Sequence, residues 1–282
     1  MKNQSRLTMA PNSWRASAYI IMIFFTVITI FPLIWLGYSS LKPNAEIVQH
    51  PLALPQAPSL DNYIRAWNLG GLGTALKNSL IYTCVATIST VLLSLAAAFG
   101  LAKFPFKSVK FFTWAFTVGL MLTVHAVIIP LFLAEVRIGL VNTRVGVILP
   151  YIAFNLPMSI LIALGYVKGI PDALIESAEI DGAKYRQIFW SLIMPLSIPV
   201  VSTIAILSFL QYWNEFLFVF IFTTKKALKS LPVAITQFAG RQNIEYGLQY
   251  ASLVIGILPM ILFYIFFHSQ LMKAFGEGAL KE

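Results

Sequence analysis

A chain of 282 residues that is 58% hydrophobic and only 11% charged carries more apolar surface than a soluble core of its size can bury, which excludes a water-soluble globular fold. The net charge of +9 comes from 20 Lys and Arg scattered between apolar runs, a pattern that fits a membrane surface and makes no nucleic-acid-binding stripe. One cysteine, Cys84, and three widely spaced histidines, His50, His125 and His268, exclude an intrachain disulfide and offer no metal-ligand spacing.

The first apolar run, at 18–41, follows Lys2, Arg6 and Arg15. It is too long for the apolar stretch of a secretory signal and lacks a small-x-small cleavage pattern, so it predicts an uncleaved membrane-spanning helix. Five more runs follow at 77–101, 111–134, 145–167, 198–223 and 248–271, each of about 20 residues and long enough to cross a bilayer as a helix. None alternates with period two, so a barrel is not expected. The fold class is therefore all-α: a polytopic membrane protein with six transmembrane helices in one domain, 1–282, with both termini on one side and no internal repeat.

The segments between the runs differ in kind. Loop 42–72 holds Pro43, Pro51, Pro55 and Pro58, and its stretch from Asp61 to Trp67 predicts a short surface helix with Tyr63 and Trp67 at the interface. In the second run Ala86, Ser89, Ser94, Ala96, Ala97, Ala98 and Gly100 permit close helix approach and predict a core helix, with Cys84 as a small packing residue. Pro130, Pro150, Pro157, Pro199 and Pro259 predict kinks. His125 is either a buried, hydrogen-bonded neutral histidine or a residue lining a pathway. Loops 135–144 and 224–247 fall on the side of 42–72, and a tail, 272–282, on the side of the N-terminus.

Placing the N-terminus in the cytoplasm puts 11 basic residues inside (Lys2, Arg6, Arg15, Lys103, Lys107, Lys110, Lys168, Lys184, Arg186, Lys273 and Lys281) against 9 outside. The N-terminal arm and the 102–110 loop carry three basic residues each and no acid, as the positive-inside rule requires, whereas Lys225, Lys226 and Lys229 oppose it.

Residues 168–197, between the fourth and fifth runs, are too charged for lipid and too patterned for a linker. Pro171 suits a helix's first turn, Asp172 and Glu176 favour its positive end, and Leu174, Ile175 and Ala178 give it an apolar face. Asp181-Gly182 is a break, and a second helix from Ala183 to about Met194 carries Ile188, Phe189 and Leu192 until Pro195 stops or kinks it. Two short helices joined at a glycine elbow are expected.

These residues resemble the motif of ABC importer permeases: Glu176-Ser177-Ala178 for a Glu-Ala-Ala triplet, Gly182 four residues on, and Leu192-Ile193-Met194-Pro195 for the apolar ending. Ser177 departs from the usual Ala, and Leu192 and Met194 from the usual Ile and Leu. Asn78-Ser79-Leu80, the run from Ala98 to Phe104, Trp213-Asn214-Glu215-Phe216 and the ending from Phe275 to Lys281 extend the resemblance to the carbohydrate, maltose-type branch, specifically its second inner-membrane permease subunit. Glu277 and Glu282 depart from the usual tail.

The resemblance implies the type I importer permease fold and a non-catalytic subunit of an ATP-driven, binding-protein-dependent sugar importer in a bacterial or archaeal inner membrane. Its implied partners are a second permease subunit, two ATP-binding subunits and an extracytoplasmic sugar-binding protein, with ATP and magnesium held by the ATPase and no cofactor by this chain. Glu176, Ser177, Ala178, Asp181, Gly182, Ala183 and Pro195 would couple to the ATPase. Gln237, Arg241, Gln242 and Asn243 would meet the binding protein or substrate. His125, Asn214 and Glu215 are candidates for the substrate path or outer gate, where a carboxylate is costly unless paired or hydrated.

No Gly-x-x-x-x-Gly-Lys-Ser/Thr loop, His-Glu-x-x-His pair or Gly-x-Ser-x-Gly turn occurs, so nucleotide hydrolysis and membrane-enzyme chemistry have no local basis. A self-sufficient secondary transporter is the alternative, but it needs ionisable coupling residues, and only Glu135 and Glu215 lie near the spans. Lys225, Lys226, Lys229 and Arg241 fit either an acidic sugar or an acidic lobe of a binding protein.

Overall fold

A computed structural model describes residues 12–238 and 245–279, with side chains described over 17–238 and 245–268. All described regular structure is helical. The chain divides into two compact units, one of residues up to Ala66 with Phe238–Val254, the other of Trp67–Gln237 with the residues from Ile255 onward.

In the first unit, α1 (Asn12–Ser39) presents Ile20, Ile23, Phe24 and Phe25 outward, all more than half exposed, as lipid contact demands. The proline-rich segment, with α2 (Asn44–Gln49) and the start of α3 (Asp61–Gly70), folds back on the end of α1. Trp35 Nε1 donates to Pro51 O at 2.8 Å and Tyr38 OH to Leu52 O at 2.9 Å. Lys42 is fully buried, with Nζ donating to His50 O at 3.1 Å and lying 5.2 Å from the centroid of the Tyr38 ring. A buried ammonium needs such acceptors, and carbonyls plus a ring face supply them without a carboxylate. Asn62 Nδ2 closes the knot by donating to Ser40 O and Lys42 O.

The second unit is built on α4 (Leu72–Lys103), which packs along α7 (Arg144–Val167) and against α11 (Ile198–Trp213). Ala86, Ser94 and Ala98 are buried on α4, as expected of a core helix, whereas Cys84 is exposed rather than packed in the core as expected. One apolar cluster gathers Leu95, Phe99, Val167, Ile175, Ile188 and Ile204; another, toward the opposite end of α4, gathers Tyr82, Val147, Tyr151, Tyr212, Phe218 and Phe222.

Two of the six expected spans are not straight rods. Residues 111–134 form α5 (Val109–Gly119) and α6 (Val124–Arg137), which meet at 103°. Gly119 brings the end of α5 onto α7, where a Cβ would lie 3.1 Å from Pro157 Cγ. The stretch 198–223 forms α11 and then α12 (Leu217–Phe222), with Asn214–Phe216 between them. Pro130, Pro150, Pro157 and Pro259 each lie inside a continuous helix, whereas Pro199, in the first turn of α11, stands beside a bend of 78°. After the short α13 (Leu231–Ile235), the last described helix, α14 (Tyr246–Ala279), continues through the expected start of the tail; residues 280–282 lie outside the described residues.

Candidate functional site

The elbow consists of α8 (Asp172–Ile180), the turn at Asp181–Ala183, and a helical run of α9 (Tyr185–Ile188), a π turn (Phe189–Ile193) and α10 (Met194–Leu196). Pro171 stands at the N-cap, one residue ahead of the first turn, and Asp172 brings its charge to the positive end of α8. The helix ends in a Schellman motif. Ala183 N donates to Ala178 O at 2.9 Å and Gly182 N to Glu179 O at 3.0 Å. The motif needs a left-handed residue, and Gly182 supplies it at φ +77°. Lys184 N donates to Gln187 Oε1, which starts α9.

Glu176, Ser177, Asp181 and Gly182 are exposed, while Ala178 and Ala183 pack partly against the chain's own apolar cluster. Ala178 therefore sets how closely α8 approaches the bundle. Leu174, Tyr185 and above all Ile180, which is 86% exposed, leave the elbow with an uncovered apolar surface. Pro195 sits in the last turn. It lacks an N–H, and in the five-residue step just before it Met194 N reaches Phe189 O. The run then turns 78° into α11 at Ser197, two residues later than proline alone would place the stop.

The second constellation is a cleft of about 400 Å³ at the break between α11 and α12. Its lining brings together His125, Asn214 and Glu215, the three residues singled out for a path, with Gln211, Tyr212 and Tyr151. His125 is exposed in the first turn of α6 and is not buried within this chain. Irregular backbone at membrane depth survives only where its polar groups are satisfied or face a cavity. Here Asn214 Nδ2 donates to Leu210 O, and Glu215 Oε1 accepts from Phe218 N at 2.8 Å, capping the start of α12. Tyr151 stacks on Tyr212 at 5.2 Å and Phe154 lies 5.5 Å from Phe218, so aromatic faces surround the polar break.

A third arrangement holds the segment after α12. Asn142, at φ +60°, accepts through Oδ1 from Thr224 N at 2.6 Å and Lys225 N at 3.2 Å. Asn78 Nδ2 donates to Ala227 O and Lys229 O, Tyr82 OH to Leu228 O, and Ser79 Oγ accepts from Leu231 N. The Asn78-Ser79 pair thus acts by fixing backbone, a role its sequence left open. The Lys229 ammonium donates to Thr223 O, and burial lowers its pKa. Gln237 Nε2 donates to Gly70 O at 3.0 Å; Arg241, Gln242 and Asn243 lie outside the described residues.

The chain is similar over nearly its whole length to known transport proteins. It is 32% identical to the trehalose/maltose transport system permease protein of Thermococcus litoralis, covering 92% of this chain and 94% of the relative. It is 31% identical to the diacetylchitobiose uptake system permease protein of Streptomyces coelicolor, covering 94% and 89%. A chain in the crystal structure of a bacterial ABC transporter involved in the import of the acidic polysaccharide alginate shares its fold, with a TM-score of 0.81 at 22% identity over 95% of this chain and 99% of that one. The family model for binding-protein-dependent transport system inner membrane components matches residues 68–273, which takes in the clamp, the cleft and the elbow, and the chain belongs to that family.

Proposed function

We propose that this chain forms half of the translocation path of an ATP-driven importer of sugars or oligosaccharides and couples to a separate ATPase through its elbow. The observation that carries the reading is the elbow itself, an exposed pair of helices whose glycine corner and apolar tip stand ready for a partner. A bare membrane surface selects basic residues, whereas α8 offers Asp172, Glu176 and Glu179. ATP and magnesium belong to the partner, since this chain has no phosphate-cradling loop. The elbow and both termini face the cytoplasm, in keeping with the basic N-terminal arm and 102–110 loop. Segment 224–247 then faces the delivering binding protein.

Purification of the tagged chain from its native membrane in mild detergent, followed by intact-complex mass spectrometry, tests the assembly. A second permease and two copies of an ATPase are expected. A lone chain or homodimer that persists under gentler extraction would overturn the reading.

The cleft at the broken helix is the chain's contribution to the path. Phe154 and Phe216, half-buried beside the stacked and buried Tyr151 and Tyr212, offer apolar faces for sugar rings, and Asn214, Glu215 and Gln211 offer partners for hydroxyls. Glu215→Ala removes the cap on α12 at a cost of about 1 kcal/mol and should sharply reduce uptake, while Glu215→Gln keeps an acceptor for Phe218 N–H and should retain most of it. Uptake by Glu215→Ala equal to that of the parent, measured in right-side-out vesicles, would remove the cleft from the path.

A further inference from the structure

Lys103, the last residue of α4, has a side chain only 4% exposed. Its Nζ donates to Ile170 O at 2.5 Å and to Asp172 Oδ1 at 2.7 Å. Those two residues flank Pro171, where the chain enters α8, so a buried ammonium and the start of the elbow satisfy one another. An ammonium withdrawn from water without such partners costs several kcal/mol, so the pairing is a constraint on both elements.

Besides this polar lock, α8 is fastened by the apolar contacts of Ile175 and Ala178 with the bundle. A cleft of about 640 Å³ opens beside it, lined by Phe104, Pro105, Val109, Glu176 and Glu179, and Ile175 is its buried residue. The second elbow helix meets the same end of α4, with Tyr185 edge-on to Phe104 at 4.8 Å and Phe189 lying 6.1 Å from Phe99. The covalent route from the elbow into α11, by contrast, turns a 78° corner. At its opposite end α4 holds residues 227–231 through Asn78, Ser79 and Tyr82. Between those two sets of polar locks α4 runs unbroken from Asn78 to Lys103, a rod of about 38 Å.

We propose that Lys103 is a positioning residue that locks the elbow to α4, so that α4 carries displacement of the elbow to the clamped segment at 224–231. This inference rests on the reading of the elbow as the ATPase contact. Elbow and rod then move as one body, and the lock is ionic on one side and carbonyl-directed on the other. Arginine preserves both functions; methionine fills the space and preserves neither.

The test uses the complete complex, purified with its ATPase and second permease, in lipid nanodiscs. Nitroxides are placed at Ala173→Cys on α8 and Lys77→Cys near the far end of α4, in a Cys84→Ser background, and ATP with vanadate is the probe. The label-to-label distance should be the same in the nucleotide-free and trapped states of the parent and of Lys103→Arg. In Lys103→Met it should shift or broaden on trapping, with the ATPase still bound, and ATP-driven uptake by the same complex reconstituted in proteoliposomes should fall about tenfold. Asp172→Asn, at a side chain 76% exposed, leaves the bundle's packing untouched and should give a smaller shift in the same direction. A parent whose distance already changes on trapping overturns the proposal, as does a Lys103→Met complex indistinguishable from the parent. Absence of a co-purifying ATPase in the parent would instead overturn the assignment of the elbow.

Discussion

Gly182→Pro is expected to abolish ATP-driven uptake while leaving the chain inserted and its spans intact. The position is open, with nothing within 4 Å of where a Cβ would stand, so steric crowding does not contribute. The whole effect comes from the backbone. Gly182 holds φ +77°, whereas proline fixes φ near −65° and removes the N–H that donates to Glu179 O. Both bonds of the Schellman motif fail together, and α9 leaves α8 in a new direction. Gly182→Ala is the graded control: it keeps the N–H and meets only the left-handed penalty of about 1–2 kcal/mol, so it should reduce uptake partially. Ala178→Asp should uncouple by a second route, because Ala178 packs partly on the apolar cluster and an aspartate there lifts α8 off the bundle. Uptake and membrane insertion measured on the same vesicles decide the matter, and normal uptake by Gly182→Pro would dismiss the elbow's role.

The elbow was legible in the sequence because its signals are local: a proline before an acidic first turn, a glycine after the last apolar residue, a second amphipathic run. Four spans, α1, α4, α7 and α14, were legible because length and apolarity are enough to announce a continuous helix. The broken spans were not. Between Gly119 and Val124 every residue but Thr123 is apolar, and a single glycine at the end of α5 does not announce a corner until the fold sets it against Pro157. At Asn214–Phe216 the polar pair was visible, but only the Glu215 bond to Phe218 N makes the break a helix start. Lys42 gave no sign of burial, because its partners are carbonyls of residues eight or nine positions away, which any sequence would supply. Lys103 likewise looked like one of three basic loop residues until the fold brought it to Asp172, 69 positions on. The Asn78 and Asn142 clamps combine both difficulties, since an amide gripping distant backbone leaves no pattern at the other end.

Gly146→Ala is expected to destabilise the protein strongly, against the sign that helix propensity alone gives. Gly146 lies in the first turn of α7, where alanine would ordinarily gain about 1 kcal/mol. Its Cβ, however, would stand 2.3 Å from Leu140 O and 2.8 Å from Glu135 Oε2. Leu140 O has no room to retreat: it accepts from Thr143 N at 3.2 Å and Thr143 Oγ1 at 2.7 Å, while Leu140 N donates to Glu135 O. Thr143 Oγ1 in turn accepts from Gly146 N, so the turn is closed on itself and α7 must slide to admit a methyl. Overpacking of this kind costs about 1–3 kcal/mol even against side chains, and the contact here is backbone. Displacing the turn also displaces Asn142 and its hold on Thr224 and Lys225, so the loss should spread to the clamped segment. Gly165, on the same helix with nothing within 4 Å of its Cβ, provides the matched control. Thermal unfolding of the two detergent-solubilised variants should show a large drop in midpoint or yield for Gly146→Ala and none for Gly165→Ala; equal midpoints would mean that α6 and α7 do not close on each other at this turn.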